Sequence, residues 1–151
     1  MSGTAIVFIY KLDDEFILSP SQRRTAKRFV PSLAFRRASA SVSNEELGRI
    51  SLQALEQSAE LPEVPNVDPA AREREWQAAI VREAGMRSYD EFQRSALNVN
   101  VYRYEDDRVQ VAPTIHEKGW FLTKNLEMEE LSSPSAESLG AAIEVSFERS
   151  E

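Results

Sequence analysis

Tyr10-Lys11-Leu12-Asp13-Asp14-Glu15-Phe16-Ile17-Leu18-Ser19-Pro20 reads as a strand, a turn at an Asp-Asp pair, a returning strand and a proline that stops pairing. At a shift of 93 positions, Arg103-Tyr104-Glu105-Asp106-Asp107-Arg108-Val109-Gln110-Val111-Ala112-Pro113 reads the same way. The runs that lead into them, Ala5 to Leu12 and Leu97 to Tyr104, are rich in β-branched and aromatic residues. Leu97, Val99 and Val101 alternate with Asn98, Asn100 and Tyr102, the period of a half-buried strand.

A second correspondence follows at a shift of 92. Ser43-Asn44-Glu45-Glu46-Leu47-Gly48 leads to Glu56 and Ser58, and Ser135-Ala136-Glu137-Ser138-Leu139-Gly140 leads to Glu148 and Ser150. Both predict helices, with Ser43 or Ser135 as N-cap and an acid in the first turn. Their apolar stripes are Leu47, Ile50, Ala54 and Leu55, and Leu139, Ala142, Ile143 and Phe147. Between the halves, Asp68-Pro69 starts a helix that ends at Gly85 and buries Trp76, Ala79 and Ile80. A shorter helix starts from Ser88, with Glu91 at capping-box spacing. Gln22 to Arg37 reads as a loop plus a third strand.

The expected fold is therefore α+β: a mainly antiparallel central sheet from two similar hairpin–strand–helix halves, with a helical insert between them. One domain covers 1–151, with halves at about 5–58 and 97–150 and the insert at about 59–96. The 151 residues suffice for one buried core, and 42 % hydrophobic content argues against disorder. With no cysteine, disulfides, thiolate metal sites and cysteine nucleophiles are excluded. A single histidine, His116, excludes sites built on two imidazoles. The run Ala5 to Tyr10 is too short for a signal sequence or a membrane span, so the expected location is the cytoplasm.

Charge is unevenly placed. The net charge is −7, yet residues 1–42 carry seven basic groups against three acids. The rest of the chain holds 11 basic and 22 acidic groups, a field that repels nucleic acid and attracts a cationic partner.

No constellation for catalysis stands out. There is no glycine-rich phosphate loop and no G-x-S-x-G elbow. Thr114, His116 and Lys118 are the one polar group with any scope for acid–base work, and a structural histidine is the plainer reading. Asp13-Asp14-Glu15 and Glu105-Asp106-Asp107 lack the alternation and glycine of a calcium loop and read as turn caps. No catalytic, cofactor-binding or metal-binding residue is assigned. The basic stretch around Arg23, Arg24, Lys27, Arg28 and Phe29 reads as a loop pairing with the excess acids. An RNA-binding module using segment 23–37 is the alternative.

The last helix places Glu137, Glu144, Glu148 and Glu151 in one sector, and Glu127, Glu129 and Glu130 lie just upstream. Most such stripes are solvated helix faces. The sharper expectation is a docking face for a basic protein.

The Glu46-Leu47-Gly48 helix with Ala54-Leu55, the segment Val109 to His116 with Trp120 following, and the terminal helix from Glu137 through Leu139-Gly140 to Ile143 resemble CdiI-type immunity proteins of contact-dependent growth inhibition. The resemblance spans most of residues 5–150. It implies a small bacterial cytoplasmic protein, not an enzyme, that neutralises the C-terminal toxin domain of a CdiA effector by stoichiometric protein–protein binding. Such toxins are often nucleases, so a basic partner fits the acidic face. No cofactor, no membrane and no direct contact with nucleic acid is expected.

Overall fold

The computed structural model describes residues 4–117 and 119–151. It has an α+β fold with a curled antiparallel sheet at its centre. The chain runs through β1 (Ala5–Lys11), β2 (Glu15–Thr25), β3 (Arg28–Pro31), β4 (Arg36–Ser39) and α1 (Asn44–Glu60). Then come α2 (Pro69–Ala84), α3 (Tyr89–Ser95), β5 (Leu97–Arg103), β6 (Arg108–Glu117), β7 (Trp120–Thr123), β8 (Glu129–Ser132) and α4 (Ala136–Arg149). The main path is β3-β2-β1-β5-β6-β7, with β4 paired to β2 and β8 to β6.

β1 and β5 lie antiparallel at the centre, from Ala5↔Arg103 to Lys11↔Leu97. These two strands correspond at a shift of 92, not 93, because β1 starts at Ala5 and β5 at Leu97. The returning strands, from Glu15 and from Arg108, correspond at 93. The second turn is one residue longer, and Asp107 takes a left-handed φ of 62° there. Asp106 caps that turn by accepting from Arg108 N at 3.1 Å.

Pro20 and Pro113 do not end their strands. Pro20 pairs with Val7 and Pro113 with Val99, and both strands run on. Each proline sits where the outer neighbour changes. β2 meets β4 along Glu15–Leu18 and β3 from Ser21 onward. β6 meets β8 along Arg108–Val111 and β7 from Thr114 onward. A residue in that gap owes no outward N–H bond, so a proline is accommodated.

One sheet face is covered by α1 and α4. Ser43 and Ser135 cap them, accepting from Glu46 N and Ser138 N at 3.1 Å each. Leu47, Leu55, Leu139 and Ile143 meet Val7, Phe16, Leu18 and Val101 in a closed core. At about 1.5–3 kcal/mol for each large apolar side chain withdrawn from water, this layer is the main stabilising element. The helices touch backbone to backbone: a Cβ on Gly48 would lie 1.7 Å from the Ala136 carbonyl oxygen, and one on Gly140 would lie 1.7 Å from that of Asn44. Only glycine fits at either point.

The other face is covered in part by the insert. Asp68 and Pro69 begin α2, and Gly85 ends it in the left-handed conformation at φ 68°. Trp76, Ile80 and Phe92 rest on Tyr10, Leu12 and Ile17, and Trp76 Nε1 donates to Ser19 Oγ at 2.9 Å. This cover corrects the half-buried reading of β5. Asn98 and Asn100 are buried like Val99 and Val101, because α2, α3 and β7 reach over their side of the strand.

Candidate functional site

The seven acids foreseen as a docking face do not form one bare stripe. Glu137 and Glu148 are exposed on α4 and make no ion pair among the described residues. They stand about 16 Å apart at the helical rise. Glu144 is half-buried, 3.7 Å from Lys11 Nζ, which also lies over the rings of Phe16 and Phe147. Glu127 and Glu151 share Lys124 at 2.9 Å each, and these bonds raise the Lys124 pKa. Glu129 reaches Arg149 at 4.0 Å.

Two placements differ from the helical expectation. α4 ends at Arg149 with Ser150 extended, so Glu151 leaves the stripe. Its backbone instead pairs with Thr114 and His116. Glu130 faces away from α4. In the β6–β8 register Val109 and Val111 meet Leu131 and Glu129 on the helix side, whereas Glu130 sits opposite Gln110 and binds Arg108 at 2.9 Å.

Segment 23–37 is a hairpin and a short strand, not a loop. Among the described residues its ion pairs are made by Arg37 of β4, which grips both oxygens of Glu15 at 2.9 and 2.8 Å and reaches Glu83 at 3.4 Å. Arg36 binds Gln57 and Gln53. At the β2–β3 tip, Arg24 donates to the Val67 carbonyl, while Arg23, Lys27 and Arg28 make no ion pair among the described residues.

Of the reserve catalytic group, Thr114 is fully buried and donates to the Asn98 carbonyl at 2.7 Å. His116 lies against Phe121 with its Nε2 buried and without a hydrogen-bond partner among the described residues. Lys118 lies outside the described residues. Among the described residues no cluster of three or more carboxylate or imidazole groups is placed to hold a metal.

A feature that sequence reasoning missed is a cleft of about 370 Å³ on the sheet face opposite α1 and α4. Phe8, Asn100 and Tyr102 lie along its floor strands, Phe29 and Trp120 come from the two outer hairpins, and Glu73 and Tyr89 come from the insert. Trp120 is 65 % exposed. Burial pushes the Glu73 carboxyl up, against a weak bond from Gln77. Burial first, and then the Glu73 charge, lift the Tyr89 phenol to about 12. The signal was present in α2. Glu73, Trp76 and Ile80 fall at i, i+3 and i+7, which puts an acid inside an apolar stripe.

The architecture is that of a small α+β protein, a sheet with two helices on one face and an open cleft on the other. A structure of a protein of unknown function from Neisseria meningitidis superposes with a TM-score of 0.80 at 17 % identity, covering 100 % of this chain and 98 % of that one. A chain of the CdiA-CT/CdiI toxin and immunity complex from Yersinia pseudotuberculosis superposes with a TM-score of 0.79 at 16 % identity, covering 98 % of each. At such identities the likeness is one of fold. The model of the CdiI family, the CDI immunity proteins, matches residues 31–150, and the chain belongs to that family. No curated protein matches it. Among the described residues no helix is long and apolar enough to cross a membrane.

Proposed function

We propose that the chain neutralises a cognate CdiA C-terminal toxin domain, a basic nuclease, by stoichiometric binding in the bacterial cytoplasm. The acids of α4, of β8 and the turn before it, and of the chain end, Glu127, Glu129, Glu130, Glu137, Glu144, Glu148 and Glu151, supply the field that draws the toxin in. The observation that carries the reading is the family match across residues 31–150. The charge arithmetic supports the finer part, since a nuclease needs a cationic cleft for its substrate and an acidic protein is suited to covering it. Within the face, Glu137 and Glu148 are the acids to test, because they are exposed and carry no internal partner among the described residues.

The test is association kinetics with the purified toxin domain. Glu137→Lys combined with Glu148→Lys should slow association about tenfold at low salt, with the deficit shrinking as salt screens the field. An unchanged rate removes this face from the interface.

A second reading has one observation in its favour: Lys27 and Arg28 are exposed at a hairpin tip and, with the half-buried Arg23, make no ion pair among the described residues. RNA binding by that tip should be salt-dependent and lost when the three are neutralised. No RNA binding at low salt ends this alternative.

A further inference from the structure

The cleft between the two outer hairpins has a definite chemical bias. Among the described residues no lysine or arginine lines it. Among the described residues its one carboxylate, Glu73, is met only by Gln77 Nε2 at 3.4 Å. Asn100 lines the same cleft at 6 % exposure, and its Oδ1 is buried without a hydrogen-bond partner among the described residues. A buried acceptor left unmet costs about 1–3 kcal/mol. Around these acceptors stand the rings of Tyr89, Tyr102, Phe29 and Trp120, whose faces are electronegative. A carboxylate without a counter-ion among the described residues, set among aromatic faces, favours one class of guest: a donor-rich cation.

We propose that this cleft is a binding site for an organic cation with a guanidinium or alkylammonium head, held between Glu73 and the faces of Tyr89 and Trp120. Its volume lies at the low end of the range for small-ligand pockets and takes such a head with a short alkyl stem. The head donates to the Glu73 carboxylate, and the stem lies along Phe8 and Phe29. The site stands apart from the acidic face of α4 and does not rest on that reading. The same head group is available free, as a polyamine-like metabolite, or at the end of an arginine or lysine of a bound protein.

The test uses the full chain, titrated with agmatine and with acetyl-Gly-Arg-Gly-amide, with the citrulline peptide of the same shape as neutral control. Tryptophan fluorescence and calorimetry read the binding. Saturable binding of either cation, and none of the citrulline peptide, is expected. Glu73→Gln should weaken it about tenfold, the loss of one charge-assisted contact. Trp120→Ala should weaken it several-fold at unchanged melting temperature, since that ring is mostly exposed. Binding of agmatine as tight as the peptide assigns the site to a free cation, and binding of the peptide alone assigns it to a protein side chain. Either supports the site. No saturation by either cation, equal binding of the citrulline peptide, or an affinity indifferent to Glu73→Gln overturns it.

Discussion

On one side of the sheet, Val7, Phe16, Leu18 and Val101 meet α1 and α4 in a closed layer, brought so near that Gly48 and Gly140 are the only residues that fit. On the other, alternate residues of the same strands present Ser19, Asn98 and Asn100 to a partial cover that leaves a cleft with an acid in its wall. The first face spends the strand's alternation on burial. The second keeps polar groups that need partners when buried: Ser19 accepts from Trp76 and Asn98 donates to the Ile9 carbonyl.

The largest break in this contrast comes from the glycines. Gly48→Val puts a side chain where the Ala136 carbonyl stands, so the helices must part. Loss of more than about 4 kcal/mol, enough to prevent folding, is expected in urea denaturation. Next in size, Leu18→Ala on the closed face should cost about 2–5 kcal/mol, whereas Trp120→Ala on the cleft rim should cost less than about 1 kcal/mol. Equal losses would mean that the cleft hairpins are as much part of the core as the helix layer.

Smaller, and opposite in sign, is Glu73→Gln. Burial raises the Glu73 pKa, so the folded chain holds its proton more tightly than the unfolded chain. Stability is then highest below the unfolded pKa and falls as pH rises through the folded one. The glutamine should therefore melt higher than the parent at neutral pH, and the difference should vanish in acid. A variant that melts lower at neutral pH would show Glu73 to be a stabilising group and not a strained one.

Much of the closed face was legible. Ser43 and Ser135, the spacing from Leu47 to Leu55, and the paired Leu-Gly steps all mark α1 and α4 locally. Those Leu-Gly steps also carry the resemblance to the family, and the structure gives their reason: the leucine enters the core and the glycine makes the crossing. The cleft was less legible because its cover comes from residues 69–95, far along the chain from the strands it buries. Alternation in β5 could not reveal that Asn98 would give its amide to the Ile9 carbonyl. The acidic stripe was read by extending helical periodicity past Ser150, where the chain turns extended, and periodicity is blind to partners such as Lys11 and Lys124.

The most direct test of the account is co-expression of this chain with its cognate toxin domain, following complex formation and growth together. The account predicts a stoichiometric complex and restored growth. Growth arrest with the toxin free and this chain folded beside it would contradict the proposed role.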